Sequence, residues 1–336
     1  MIILQAVTIF VLVLVVAGLL APWESLSWWA REGNEESREL PRMAAAVAAD
    51  YRRLALEGAA PPSPAPHFLV FLSGVGVSSH DALPLKEAPL VDELDRRLGD
   101  TILIRDVYPY SPDNLGLTAG RPTAWLWRVL TRWKLEQKRG MVTFIINIRN
   151  AFQMFVSADR RYGPVYNLGV AEEIYASLLR HGYVPGSKIP VTVLGWSGGA
   201  QIAVGCTWYL AALGIPVRVI SMAGIFSADP GIERAEHLWH LYGAPDRVQW
   251  LSKLWFPGRW SVATGSSWGR ALKDGRATQH EIGQLTHSGE GNYFAASPPL
   301  ADGRAPRDHS IDAIIGVLEA EGLARDLDPG ASTAER

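Results

Sequence analysis

One short stretch of the sequence combines a serine with the small neighbours that a reactive serine needs. Residues 191–199 read VTVLGWSGG, so an apolar run leads into a Gly-Trp-Ser-Gly-Gly motif centred on Ser197. A serine hydroxyl becomes a good nucleophile when a neighbouring base takes its proton. A tight turn between a strand and a helix exposes the hydroxyl to such a base, and glycines let the backbones approach closely there. Ser197 is therefore our candidate nucleophile for acyl transfer.

A second stretch has the same Gly-x-Ser-x-Gly spacing and competes for this role. Residues 265–269 read GSSWG, centred on Ser267. The chain contains 32 glycines, so a match to this short pattern can arise by chance. No apolar strand precedes Ser267, and its surroundings are typical of a loop. The context favours Ser197.

The elements that position Ser197 form a regular alternation. Apolar runs predict strands at residues 67–74, 101–110, 189–196, 215–222, 237–243 and 280–287. Helical spacing predicts helices at residues 85–99, 166–182, 198–214 and 310–322. Alternation of this kind predicts an α/β fold with a mostly parallel sheet and helices on both faces.

Further motifs make residues 67–322 resemble the α/β-hydrolase superfamily. They are the GWSGG turn, an SGVG turn at residues 73–76, HLYGAPDRV at 240–248 and LTHSGEGNYF at 285–294. Members of that superfamily carry their catalytic residues in the order serine, acid, histidine. The resemblance implies that Ser197, Asp246 and His287 form such a triad.

The resemblance also implies a role for each residue. His287 takes the serine proton and later returns it to the leaving group. Asp246 fixes the histidine tautomer and stabilises the imidazolium. Backbone N–H groups of Gly198, and of Gly74 or Val75, would form the oxyanion hole.

Alternatives remain open for two of these residues. His309, in the segment RAPRDHSIDA, is a second candidate base, whereas His237 and His240 have the character of structural strand residues. Asp229, in the segment FSADPG, is a second candidate acid, although Asp-Pro-Gly is also an ordinary turn sequence. Asp246 could equally serve as a helix N-cap.

The N-terminal part of the chain predicts membrane attachment. Residues 1–22 hold no charged side chain and are long enough to cross a bilayer, so we expect a single-pass N-terminal transmembrane helix. Residues 23–66 then read as a juxtamembrane helix and a Pro-rich linker. Arginines follow the span and no Lys or Arg precedes it, which favours a cytoplasmic domain in residues 67–324.

An insertion at about residues 115–160 interrupts the alternation. Its segment 122–140 places tryptophans and leucines on one side of a predicted helix and basic residues elsewhere. Two interpretations stay open, namely surface elements packed on the sheet or a cap over a substrate pocket that also touches lipid. Residues 325–336 read as a polar tail, and the long connection 247–279 has no assigned role.

Composition narrows the class of function. The net charge of −2 gives no reason to expect a nucleic-acid partner, and the one cysteine, Cys206, excludes a disulfide framework within the chain. We expect a membrane-anchored serine hydrolase that acts on an ester or thioester with an apolar or lipid-like acyl part and uses no metal or cofactor. An acyltransferase with the same triad and a non-catalytic binding module of the same fold are the alternatives. The oligomeric state stays open.

Overall fold

The computed structural model describes residues 64–76, 83–110 and 141–328, together with residues 49, 53 and 56. The predicted transmembrane helix at 1–22, almost all of the segment 23–66 and the insertion up to residue 140 lie outside the described residues. Among the residues that are described, no helix has both the length and the apolar character needed to span a bilayer.

The structure is an α/β fold built on a six-stranded parallel sheet. The strands are β1 (His67–Leu72), β2 (Leu98–Gly99), β3 (Thr101–Ile104), β4 (Val191–Trp196), β5 (Val217–Met222), β6 (Leu238–Tyr242), β7 (Ala277–Glu281) and β8 (Arg325–Asp326). The sheet has the order β3-β1-β4-β5-β6-β7, and β2 pairs with β8 in a separate antiparallel ribbon.

Helices cover both faces of this sheet. They are α1 (Ala88–Arg97), α2 (Met141–Ala158), α3 (Gly163–Arg180), α4 (Gly199–Ala212), α5 (Leu251–Trp255), α6 (Ser267–Lys273) and α7 (Pro306–Ala320). Val193 of β4 belongs to the apolar layer that contains buried residues of α2, α3 and α4. Leu194, the next residue, belongs to the opposite layer with α1 and α7. Successive side chains of a strand point to opposite faces, so a continuous apolar run is what a strand covered on both sides requires.

The strand order reverses beside β1. This strand pairs with β3 on one side and with β4 on the other, and Leu72 at its end lies opposite Gly195. Open α/β sheets bind ligands at the carboxyl ends of the strands where the order reverses. The loops after β1 and β4 therefore border the expected binding crevice.

Several boundaries differ from the sequence predictions. The second strand ends at Ile104 rather than at residue 110, and the last strand of the sheet is Ala277–Glu281 rather than 280–287. Among the described residues this strand pairs with β6 alone, and its last three side chains are exposed. Hydropathy does not mark such an edge strand, and the apolar residues in the loop after it displace the predicted strand towards the C-terminus. The segment at Ser267 is a short helix rather than a loop.

A buried arginine joins two distant parts of the chain. Arg97 of α1 is 3% exposed and lies 2.7 Å from a carboxylate oxygen of Asp312 and 2.5 Å from one of Asp326. The ribbon of β2 and β8 brings Asp326 to this position. The segment that was predicted to be a polar tail from residue 325 thus begins with paired residues, and residues 329–336 lie outside the described part.

Candidate active site

Ser197 occupies a strained turn between β4 and α4. Its φ of 50° lies in the left-handed region, which non-glycine residues rarely adopt. Backbone hydrogen bonds hold it there, because its N–H donates to Met222 and its carbonyl accepts from the N–H of Ala200 and of Ile225, at 3.0, 3.1 and 3.0 Å respectively. A Cβ on Gly195 would lie 2.6 Å from the Ala200 backbone nitrogen. The turn therefore needs glycine at this position, as the sequence motif predicts.

A chain of hydrogen bonds starts at the Ser197 hydroxyl. Its Oγ lies 2.9 Å from Nε2 of His287, and Nδ1 of His287 lies 3.0 Å from Oδ2 of Asp246. The three residues follow β4, β7 and β6, whose carboxyl ends meet at one edge of the parallel sheet. The predicted strand 280–287 would end at His287, but His287 lies in the loop beyond β7. The three residues predicted as a triad are thus brought together by the fold.

Asp246 is buried, and its hydrogen bonds keep it ionised. Its side chain is fully shielded from solvent, and Oδ1 accepts the Val248 N–H at 2.9 Å. The Tyr293 hydroxyl donates to Oδ2, also at 2.9 Å. Burial raises the pKa of a carboxyl group, but the hydrogen bonds from His287, Tyr293 and Val248 outweigh it, so the pKa of Asp246 lies below its ordinary value. An ionised carboxylate here can stabilise a protonated His287.

Aromatic side chains fix the histidine ring in place. The Trp196 ring stacks on the His287 imidazole with ring centroids 4.7 Å apart, and it also contacts Tyr293 and Phe294. Tyr293 in turn accepts the Gly243 N–H at 2.6 Å. Sequence reasoning assigned no role to Trp196 or Tyr293, although both belong to the motifs that carried the resemblance. Their contacts join residues far apart in the chain, which spacing cannot predict.

The loop after β1 reaches the turn that holds Ser197. A Cβ on Gly74 would lie 3.2 Å from the Ser197 Cβ, and one on Gly198 would lie 2.6 Å from Cγ1 of Val75. The Val75 carbonyl accepts a hydrogen bond from the buried amide of Asn150 at 2.8 Å. Gly74 and Gly198 therefore lie beside Ser197, Val75 lies against Gly198, and α2 holds the loop in place through Asn150.

A buried tyrosine faces the same place, and no sequence signal pointed to it. The Tyr110 hydroxyl lies 3.1 Å from the position of a Cβ on Gly198, and Sδ of Met154 lies 3.4 Å from that position. Among the described residues this hydroxyl has no hydrogen-bond partner, although Tyr110 is only 1% exposed. Burial raises the pKa of Tyr110 well above its ordinary value, so the hydroxyl stays protonated and can donate.

The fold places the alternative residues elsewhere. Asp229 accepts from the Gly231 N–H at 2.8 Å and from the Gln201 amide at 3.3 Å, and burial raises its pKa. His309 lies 2.8 Å from the Asp302 carboxylate. Neither Asp229 nor His309 contacts Ser197 or His287 within the described structure.

The other singled-out serine and histidines also have separate partners. The Ser267 hydroxyl donates to Glu233 at 3.0 Å. His237 pairs with Thr278 at 3.1 Å, and His240 pairs with Ser221 at 3.0 Å. These contacts give Ser267 a structural role in α6, His240 one in β6, and His237 one directly before β6.

A cavity of about 580 Å³ lies near the site but does not include it. It is bounded by residues of α3 and α4, by Ser227–Pro230 after β5 and by Phe256–Gly258. None of Ser197, Asp246 and His287 lines it. It is linked to the site through the loop after β5, because Ile225 of that loop donates to the Ser197 carbonyl.

No group of three or more His, Cys, Asp or Glu side chains in the described part of the chain could hold a metal ion. Cys206 is buried in α4, and its burial raises the pKa of the thiol.

The chain matches no protein-family model, and a search of curated proteins finds no significant match.

Proposed function

We propose that this protein is a serine hydrolase of the α/β-hydrolase fold that cleaves a carboxylic ester or thioester. The observation that carries the proposal is the unbroken hydrogen-bond chain from Ser197 through His287 to Asp246. It lies at the carboxyl ends of parallel strands, beside the point where the strand order reverses. A strained serine, a base within 2.9 Å and a buried carboxylate behind the base are the parts that nucleophilic acyl transfer needs.

The proposed reaction proceeds in two stages. Ser197 Oγ attacks the acyl carbon while its proton moves to Nε2 of His287. The bond to the leaving alcohol or thiol then breaks, and His287 returns the proton to that group. Water then attacks the acyl carbon while its proton moves to His287; the bond to Ser197 Oγ breaks, the carboxylic acid leaves and His287 returns the proton to Oγ. Asp246 keeps the Nδ1 proton in place throughout and stabilises the imidazolium.

The negative charge that develops on the acyl oxygen needs hydrogen-bond donors. The Gly198 N–H is one, because it precedes the first turn of α4. The loop at Gly74 and Val75 supplies a second backbone N–H, as in the predicted oxyanion hole. We assign the Tyr110 hydroxyl as a third donor, because it is protonated, unpartnered among the described residues and directed at Gly198.

Acyl transfer to an alcohol or lipid is the second candidate function. Ser197 is 5% exposed and the His287 side chain 16% exposed, so bulk water has limited access to the reacting groups. Restricted access of water favours a competing acceptor. A non-catalytic binding module has less support, because binding alone gives no physical reason for three such side chains to be joined by hydrogen bonds.

We also propose that the domain is held at a membrane by residues 1–22 and faces the cytoplasm. The support is the uncharged apolar N-terminal sequence and the arginines that follow it. An apolar or lipid-like acyl substrate would then be supplied from the bilayer.

Labelling with a fluorophosphonate probe tests the proposed function. We expect wild type and Ser267→Ala to be labelled and Ser197→Ala to be unlabelled, with loss of hydrolysis of short acyl esters. Ser267→Ala is the matched control because it removes the serine of the second Gly-x-Ser-x-Gly motif. Circular dichroism shows whether each variant is folded. A folded wild type that takes up no probe, or a labelled Ser197→Ala, would overturn the proposal. Product analysis with added alcohol separates hydrolysis from transfer.

A further inference from the structure

The long connection between Asp246 and β7 carries exposed apolar side chains. We call this group the aromatic patch; it consists of Trp250, Leu254, Trp255, Trp260 and Val262. Their exposed fractions are 59%, 70%, 42%, 48% and 80% respectively. Single exposed apolar residues are ordinary, but a contiguous group marks an interaction surface.

Contacts hold four of these five side chains, all except Val262, in defined positions. Trp250 and Leu254 are four residues apart, and Leu254 belongs to α5, so the two side chains are neighbours. The Trp260 indole N–H donates to the Lys253 carbonyl, which fixes Trp260 against the same turn. The Trp255 ring packs edge-on against Phe155 of α2, with centroids 4.9 Å apart. Intramolecular contacts therefore fix the position of most of the patch.

The charged residues within the connection itself are all basic up to residue 273. Residues 247–273 contain five Lys or Arg and no Asp or Glu. Arg247 and Lys253 are exposed, and neither forms an ion pair within the described residues. Arg259 is buried between the rings of Phe226 and Trp268. Arg247 and Lys253 thus give the connection two exposed positive charges that have no ion-pair partner among the described residues.

We propose that the aromatic patch docks on the surface of a bilayer that contains anionic lipids. Tryptophan is the side chain that prefers the boundary between hydrocarbon and headgroups, and Lys or Arg beside it adds attraction to anionic headgroups. A second copy of this chain that docked through the same patch would bring like charges together. The segment 111–140 of the same chain carries six Lys or Arg against two Asp or Glu, so it offers no complementary charge either. An anionic membrane satisfies both the apolar and the charged parts of the patch.

Docking of the patch on a bilayer would turn the candidate site towards the lipid surface. The connection begins directly after Asp246, and Phe256–Gly258 within it line the cavity of about 580 Å³. The lipid surface would then meet the edge of the sheet that carries Ser197. The inference itself stands on the patch and its charges and does not require hydrolysis.

A fluorophore at the centre of the patch tests the inference in the full chain. Leu254→Cys labelled with an environment-sensitive dye is compared with Ala320→Cys, an exposed position at the end of α7. Cys206 is buried, so we expect wild type treated with the same dye to stay unlabelled. This is the control for selective labelling of the introduced cysteine. The proteins are reconstituted in vesicles of phosphatidylcholine with or without phosphatidylserine, and with spin-labelled lipid as quencher.

We expect the dye at residue 254, and not at residue 320, to shift to the blue and to be quenched severalfold by the spin-labelled lipid. The effect should weaken without phosphatidylserine and in the Lys253→Glu variant. Equal quenching at both positions, or none at residue 254, would overturn the inference. A dye at 254 that is shielded from iodide but not quenched by lipid would show that protein covers the patch, which also overturns it.

Discussion

The indole of Trp196 stacks on the imidazole of His287 at a centroid distance of 4.7 Å, so the residue before the candidate nucleophile also holds the candidate base. The same indole contacts Tyr293, whose hydroxyl donates to Asp246. A single aromatic group thus touches the candidate base directly and reaches the candidate acid through Tyr293. The orientation of His287 depends on packing as well as on its two hydrogen bonds.

Catalysis should depend on the Asp246 carboxylate behind His287 and not on the alternative acid, Asp229. We expect Asp246→Asn to lower kcat by about 10³- to 10⁴-fold, because an amide there favours the wrong histidine tautomer. Asp229→Asn is the matched control, since Asp229 is the alternative acid but contacts Gln201 and Gly231 instead. Steady-state hydrolysis of a soluble ester measures both. An equal loss in the two variants would contradict the assignment of Asp246.

Removal of the Tyr110 hydroxyl should act on the transition state. We expect Tyr110→Phe to lower kcat by about 10²-fold, the cost of losing one oxyanion donor, with little change in KM. Tyr175→Phe is the control, because the Tyr175 hydroxyl is likewise buried and has no partner among the described residues. Unchanged kcat in a folded Tyr110→Phe would show that this hydroxyl has no part in the reaction.

The first glycine of each Gly-x-Ser-x-Gly motif should respond differently to a methyl group. A Cβ at Gly195 would approach backbone atoms of Gly199 and Ala200 to 2.6 Å, whereas a Cβ at Gly265 meets nothing within 4 Å. We expect Gly195→Ala to lose several kcal/mol of stability or to fail to fold, and Gly265→Ala to stay within about 0.5 kcal/mol of wild type. Urea denaturation measures both. A stable Gly195→Ala would mean that the turn is looser than the geometry indicates.

Acid should destabilise the fold through a buried histidine. Burial, together with the charge of Arg218, lowers the pKa of His67 from 6.5 to about 3, and its ring is hydrogen-bonded to Thr101 and Thr192. The unfolded chain binds the proton first, so the stability that is present above pH 6.5 is lost as the pH falls towards 3.

Between pH 7 and pH 5 this loss amounts to about 2 kcal/mol for one such histidine. We expect His67→Gln, which keeps a hydrogen-bonding side chain but does not titrate, to remove that part of the pH dependence. Urea denaturation at the two pH values measures it. Parallel pH profiles for wild type and variant would contradict the prediction.

The sequence predicted the core of the sheet because each central strand is covered on both faces. Strands β1 and β4 are buried along their whole length, and such strands appear as apolar runs. Strand β7 has one neighbour and exposed side chains, so the prediction was displaced into the following loop. The nucleophile turn was predictable because its chemistry is local. The contacts of Tyr110, Trp196 and Tyr293 depend on packing between distant segments and gave no local signal.

The ion pairs of Arg97 bear on how the protein is made. Arg97 lies near the start of the domain in the sequence and its guanidinium is buried. Its partners Asp312 and Asp326 are more than two hundred residues further along the chain. A buried guanidinium without its carboxylates is strongly destabilising. During translation, α1 emerges well before the carboxylates that neutralise Arg97. A chain shortened before residue 326 would leave Arg97 with the Asp312 carboxylate alone, so it should be less stable than the full chain.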